Sequence, residues 1–388
     1  MSVEDKLERL KRIKKKMERE SLSSNYSDGL LRWNDYERLK EIFENLGVDF
    51  DYELYLHPRS YDYEKKYIDS NIDNNTDYLD FLETFTKMFN ESGFVYYADP
   101  FRVKIPRNEI HEIIEDYLEL LVPGLSKKYR EMRSDSSILM HKTNDYCGIT
   151  YPINTHPKED TIFVDKDLRN NGLLLIETVI HEFFHKYSYD LSRTKGKACF
   201  EGLHHGHLCE VTTIYSEISF NNYLKKNHIY EKEAIFSFNE FFKLYFSSVY
   251  GYKYYLMGLE QDDANIDNPE YYPVLSYDYS NGYPVVEIDQ CFIEEQNDIK
   301  IFDTAYMSSF SEADIRYTLG LLKAFEMFEV EKSGENMGKY INNFIASLYD
   351  LRQEEELLQN EDRIELVRKR VLENNNQINN YFKNKKGR

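Results

Sequence analysis

Apolar residues recur with a helical period through the first third of the chain. One apolar stripe lies within residues 3–20, among basic side chains, and predicts an amphipathic helix. The same period predicts further helices over residues 33–46, 77–91 and 108–133, the last with an interruption at Pro123-Gly124. We therefore predict an N-terminal helical lobe that comprises residues 1–135.

The pattern changes after residue 136. Ser137-Ile138-Leu139-Met140 and Thr161-Ile162-Phe163-Val164 are short apolar runs that predict strands. The following segment, Leu173 to Ile180, is apolar nearly all round, which is typical of a buried helix. We predict a mainly α fold of the α+β kind, in which a small sheet lies beside this helix. Residues 136–388 would form this second domain, with a helical C-terminal part.

Composition and charge narrow the class of protein. The chain has 388 residues, of which 41% are hydrophobic, enough for a large core. Nucleic acid and anionic membranes would repel its formal net charge of −20, so we expect neither as a partner. The four cysteines contain no CxxC pair, and no apolar run approaches the about 18 residues of a membrane span. These features predict a cytoplasmic protein.

The strongest chemical signal is His181-Glu182-Phe183-Phe184-His185, which continues the apolar helix. Side chains four positions apart lie one above the other on a helix, so both imidazoles can reach one metal ion. Zn²⁺ binds neutral imidazole nitrogen, and its catalytic sites use three protein ligands and keep a fourth position for water. Glu182 directly follows His181 and is placed to accept a proton from that water. The motif predicts a zinc hydrolase.

Two downstream glutamates compete to be the third metal ligand. Glu201 lies in a segment that predicts a loop. Glu210 opens a segment whose period predicts a helix with Glu210, Thr213 and Glu217 on one face. We prefer Glu210, because a packed helix holds a ligand in place better than a loop does. Glu217 would then be a hydrogen-bond partner for one of the ligand imidazoles.

A cluster of histidines offers another possibility. His204, His205 and His207 follow Glu201, and any of them could replace Glu210 as the third ligand. Alternatively, one of them could donate a hydrogen bond to the oxyanion that forms during hydrolysis, or the cluster could be an ordinary solvated loop.

Four segments together resemble one family of enzymes. They are His181 to His185, the helix Glu210 to Glu217, the upstream Tyr146-Cys147-Gly148, and the downstream Tyr317-Thr318-Leu319-Gly320. In pattern and order they resemble the zinc oligopeptidases of the thimet oligopeptidase and oligoendopeptidase F type. The resemblance implies a zincin-like catalytic domain with a deep channel for short unfolded peptides. It also implies that Tyr317 helps to stabilise the transition state.

The strand upstream of the active helix has a further expected role. In zinc peptidases built on such a helix, that strand borders the cleft and pairs with the extended backbone of the substrate. Thr161 to Val164 is the predicted edge strand, with an ordinary core strand as the alternative.

The sequence thus predicts a zinc metallopeptidase in which His181, His185 and Glu210 hold Zn²⁺, Glu182 is the general base and a peptide is the substrate. Two alternatives remain. One is a non-catalytic zinc-binding protein, since the resembled family has Gly at the position of Phe184 and a histidine in the region where this chain has Tyr306-Met307. The other is a toxin-like protease with a single protein target.

Overall fold

The fold is known from a computed structural model of the chain. The residues that it describes are 75–92, 94, 96–97, 103–135, 137–141, 147–151, 160–194, 208–256, 275–278, 285–288, 314–346, 356–357 and 362–386. The helices predicted over residues 3–20 and 33–46 lie outside these ranges, and the division at residue 135 stays a prediction.

Helices make up most of the described chain, which confirms the predicted mainly α class. Their bounds are α1 Asn75–Glu91, α2 Arg107–Leu121, α3 Leu125–Ser134, α4 Gly172–Thr194, α5 Val211–Lys226, α6 Glu231–Leu256, α7 Asp314–Lys332, α8 Met337–Ala346 and α9 Asp362–Lys386. The interruption predicted at Pro123-Gly124 is confirmed: Gly124 takes a positive φ of 92°, and the break separates α2 from α3. None of the helices in the described ranges is long and apolar enough to cross a membrane.

Helix α4 lies at the centre of the core. Its side chains Ile176, Ile180, Phe183 and Phe184 are at most 1% exposed, which confirms the prediction of a buried helix. It packs against α5, and α5 packs in turn against α6 and α7. The apolar side chains fix the rotation of α4 and therefore the direction in which its polar residues point.

A three-stranded sheet covers one side of α4. Its strands are β2 Ile138–His141, β3 Gly148–Tyr151 and β4 Thr161–Asp165, and their spatial order is β2, β4, β3. Strand β4 is parallel to β2 and antiparallel to β3, and both β3 and β4 contact α4. The predicted small sheet beside the active helix is therefore confirmed.

The prediction of an edge strand at Thr161 to Val164 is wrong. These residues lie in β4, which is hydrogen-bonded on both sides and buried at all four positions. Their apolar side chains reflect burial on both faces, as in an ordinary core strand. Strand β3, which contacts α4, is instead an edge strand of this sheet within the described part of the chain.

A buried ion pair ties the sheet to α4. The Lys186 ammonium lies 3.1 Å from the carboxylate of Asp160, the residue before β4, and also contacts Asp190 one turn along the helix. Because the Asp160 side chain is fully buried, loss of Lys186 would remove the cation that compensates a buried carboxylate. The pair therefore fixes the position of α4 next to His185.

A second three-stranded sheet joins distant parts of the chain. It consists of β1 Tyr96–Tyr97, β5 Leu275–Asp278 and β6 Val285–Ile288. Strand β6 is central and pairs antiparallel with both neighbours. No such sheet was predicted from the sequence, because β1 has only two residues.

Candidate metal centre

His181 and His185 lie one turn apart on α4, with ring centroids separated by 4.9 Å. Both side chains are mostly buried, with 17% and 14% of their surface exposed. His185 also stacks on Tyr189, one further turn along the helix. The two imidazoles are thus held on the same face of α4, as their spacing predicts.

Glu210 faces both imidazoles from the start of α5. It is the residue before Val211, the first residue of the helix, and is 5% exposed. Its Oε2 lies 3.5 Å from His181 Nε2 and 3.4 Å from His185 Nε2. The Thr213 hydroxyl, 3.0 Å from the same oxygen, is placed to donate to it.

These distances fit a shared metal ion better than direct hydrogen bonds. Hydrogen bonds from nitrogen to oxygen are usually about 2.7 to 3.2 Å long. Two ligand atoms about 2.0 to 2.1 Å from a tetrahedral ion are themselves about 3.3 to 3.4 Å apart. The ligand atoms of His181, His185 and Glu210 all lie within 4.8 Å of one another. The three residues could therefore hold a metal ion.

Helices α4, α5 and α7 converge at Glu210. The hydroxyls of Ser188 on α4 and Thr212 on α5 are buried and 2.8 Å apart. On α7, a β-carbon at Gly320 would lie 3.2 Å from Glu210 Cβ and 2.6 Å from the Cδ1 of Ile214. The absence of a side chain at Gly320 thus allows α7 to pack directly against Glu210.

Glu217 provides the outer hydrogen-bond partner that the sequence predicts. Its Oε1 lies 2.5 Å from His181 Nδ1, on the side of the ring opposite to Glu210. The same oxygen accepts a hydrogen bond of 2.9 Å from the hydroxyl of Tyr245 on α6. A partner at Nδ1 fixes the tautomer in which Nε2 is free to bind a metal.

The carboxylates dominate the electrostatics of the centre. Burial disfavours the charged form of His181, but contacts with Glu210 and Glu217 outweigh it and raise the His181 pKa well above its ordinary value. Burial also acts against an ionised Glu210, yet the two histidines hold the Glu210 pKa well below its ordinary value. The buried carboxylates therefore favour a positive charge between them.

Glu182 lies against strand β3 and is 5% exposed. The Thr150 hydroxyl lies 2.7 Å from Glu182 Oε2 and 2.7 Å from its backbone oxygen, so it can donate to either. A β-carbon on Gly148 would lie 2.8 Å from Glu182 Cγ and 2.6 Å from Thr178 Cγ2. Gly148 thus lets β3 approach α4 closely enough for Thr150 to orient the carboxylate.

Tyr317 lies on α7 in the outer layer of the centre. Its ring contacts that of Tyr245, with centroids 6.1 Å apart, and Tyr245 in turn bonds Glu217. The structure therefore brings Tyr317 near the metal ligands through Tyr245. Its role as an oxyanion donor stays a prediction.

Some candidates from the sequence lie outside the described residues. They are Glu201, His204, His205 and His207. Cys209, beside Glu210, is partly buried. Among the described residues, only the group of His181, His185 and Glu210 meets the geometric requirement for a metal site.

Sequence reasoning missed Thr150 and Tyr245. Thr150 lies two residues after Gly148, which belongs to a segment that carries the family resemblance. The sequence does not show that either residue lies against Glu182. Tyr245 is one of 34 tyrosines, and nothing in its local sequence distinguishes it from the others. These contacts arise from residues far apart in the chain.

Comparisons with known proteins do not assign this chain to a family. No family model and no curated protein matches the chain. The crystal structure of a putative peptidase from Chlamydophila abortus is similar, with a TM-score of 0.48 and 12% sequence identity. The match covers 83% of this chain and 55% of that one, so this chain corresponds to about half the length of the other protein.

Proposed function

We propose that this protein is a zinc-dependent peptidase that hydrolyses short unfolded peptides. The observation that carries the proposal is the convergence of the His181 and His185 Nε2 atoms on Glu210 Oε2, at distances of 3.5 and 3.4 Å. Glu182, directly after the first histidine, supplies a buried carboxylate beside this group.

The donor set favours Zn²⁺ among the common ions. Ca²⁺ and Mg²⁺ prefer sites made of oxygen ligands, whereas two imidazoles with one carboxylate are a common catalytic zinc set. A bound Zn²⁺ would supply Lewis acidity, which polarises a carbonyl and makes a water molecule more acidic.

The protein's own side chains would move the protons. The Glu182 carboxylate accepts the proton of the attacking water and then donates it to the nitrogen of the departing amine. Thr150 orients this carboxylate by donating a hydrogen bond. The hydroxyl of Tyr317 donates to the substrate oxygen as it gains negative charge, a role that a histidine of the segment 204–207 could also have.

Strand β3 offers an extended peptide a place to bind. Asp165 N donates to the Cys147 carbonyl at 2.8 Å, so Cys147 and Ile149 direct their backbone groups toward β4. Gly148 and Thr150 therefore direct theirs to the opposite edge, which pairs with no other strand in the described part of the chain. A peptide paired there would run beside Glu182.

Metal removal tests the proposed function. We expect the purified protein to cleave members of a broad panel of fluorogenic peptides, and we expect a chelator to abolish cleavage and added Zn²⁺ to restore it. The measurements are initial rates together with the metal content of each sample.

Two results would contradict the proposal. Cleavage that survives complete removal of metal would exclude a metallopeptidase. Protein that contains zinc but cleaves no peptide in the panel would instead support the non-catalytic alternative, unless a folded protein is cut at a single site, which would indicate a toxin-like protease.

A further inference from the structure

Three helices meet at a single oxygen atom behind the metal ligands. Oε1 of Glu217, on α5, contacts Nδ1 of His181 on α4 at 2.5 Å. It also accepts a hydrogen bond of 2.9 Å from the hydroxyl of Tyr245 on α6. At neutral pH a tyrosine keeps its proton and can donate it in this way. The orientation of His181 therefore depends on Glu217, and that of Glu217 depends on Tyr245.

Tyr245 is well suited to hold another side chain in place. It is 3% exposed, and its ring packs between those of Phe241 and Tyr317, with centroids 4.6 and 6.1 Å away. A glutamate has three rotatable side-chain bonds, whereas a packed tyrosine ring has little freedom to move. Two donors on one oxygen thus restrict Glu217 far more than the contact with His181 alone.

We propose that Tyr245 is a positioning residue of the metal centre. It fixes the Glu217 carboxylate, which in turn fixes the tautomer and ring plane of His181. Hydrogen-bond partners of metal ligands usually affect metal affinity in this way. The inference rests on the proposed function only in requiring that His181, His185 and Glu210 bind a metal, and it does not require peptide hydrolysis.

Tyr215 provides a matched control. It is also buried, and its hydroxyl donates to the carboxylate of Glu331 at 2.8 Å. Glu331 contacts no histidine in the described part of the structure. Replacing either tyrosine by phenylalanine removes one hydroxyl that bonds a glutamate, but only Tyr245 is linked to a metal ligand.

The test compares wild type, Tyr245→Phe and Tyr215→Phe after metal removal and titration with Zn²⁺ and Co²⁺. Zinc affinity is measured by competition with a chelating dye, and the visible absorption of bound Co²⁺ reports the geometry of its ligands. For Tyr245→Phe we expect a roughly 3- to 10-fold loss of zinc affinity, below the roughly 10- to 100-fold typical when a direct partner of a ligand is lost. We also expect a changed Co²⁺ spectrum. Tyr215→Phe should resemble wild type in both measurements.

A double variant tests whether Tyr245 acts through Glu217. Adding Tyr245→Phe to Glu217→Ala should cause no further loss of affinity, since the residue that Tyr245 holds is already absent. A double variant that binds zinc more weakly than Glu217→Ala alone would overturn the inference. So would a Tyr245→Phe variant with the same zinc affinity and Co²⁺ spectrum as Tyr215→Phe. If wild type itself binds neither metal, the metal centre and the proposed function fail together with this inference.

Discussion

Glu182→Gln is expected to abolish peptide hydrolysis while zinc stays bound. Glutamine has nearly the same shape as glutamate and can still accept the hydrogen bond from Thr150, which lies 2.7 Å from Glu182 Oε2. It cannot accept a proton from water, however. General base catalysis usually contributes about 100- to 10,000-fold to a rate, so we expect kcat to fall by at least about 100-fold. The measurements are kcat for a cleaved peptide and the metal content of the variant.

Glu177→Gln is the matched control. Glu177 is on the same helix, but the hydroxyl of Ser237 donates to its carboxylate, at 2.6 and 2.7 Å from its two oxygens. We expect this variant to keep the wild-type kcat. If Glu182→Gln also kept it with a full complement of zinc, Glu182 would not be the base.

Glu210→Ala is expected to lose zinc, whereas Glu201→Ala is expected to retain it. Glu210 Oε2 is the atom that faces both imidazoles, at 3.5 and 3.4 Å. Without it only two protein ligands remain. The loss of affinity should exceed the roughly 100-fold upper range for a lost outer partner, because a ligand itself is removed. Competition with a chelating dye measures the affinity of each variant.

The comparison of these two variants decides between the glutamates that the sequence leaves in competition. Circular dichroism would show whether each variant keeps its helices. Zinc loss in Glu201→Ala with retention in Glu210→Ala would assign the third ligand to Glu201 and contradict the proposed centre.

Local pattern was sufficient to predict the two histidines and their helix. The spacing of His181 and His185 places them on one face, and the apolar residues around them predict burial, as the structure shows. Glu210 could be predicted because its helix has a recognisable period. Its position directly before the first residue of α5 is what allows the carboxylate to reach both rings.

Long-range pairing could not be predicted from local pattern. A run such as Thr161 to Val164 can have the same apolar character in a central strand and in an edge strand. The sequence therefore did not reveal that β4 is central. The contact of Tyr245 with Glu217 depends on how α5 and α6 pack, and that of Thr150 with Glu182 depends on the position of β3. Neither contact has a signal in sequence spacing.

The binding of one metal ion by His181, His185 and Glu210 is the central claim, and anomalous X-ray diffraction at the zinc absorption edge tests it most directly. Crystals of the zinc-loaded protein should show one strong anomalous peak, about 2 Å from His181 Nε2, His185 Nε2 and Glu210 Oε2. A peak at another position, or no peak between these three atoms, would contradict the account.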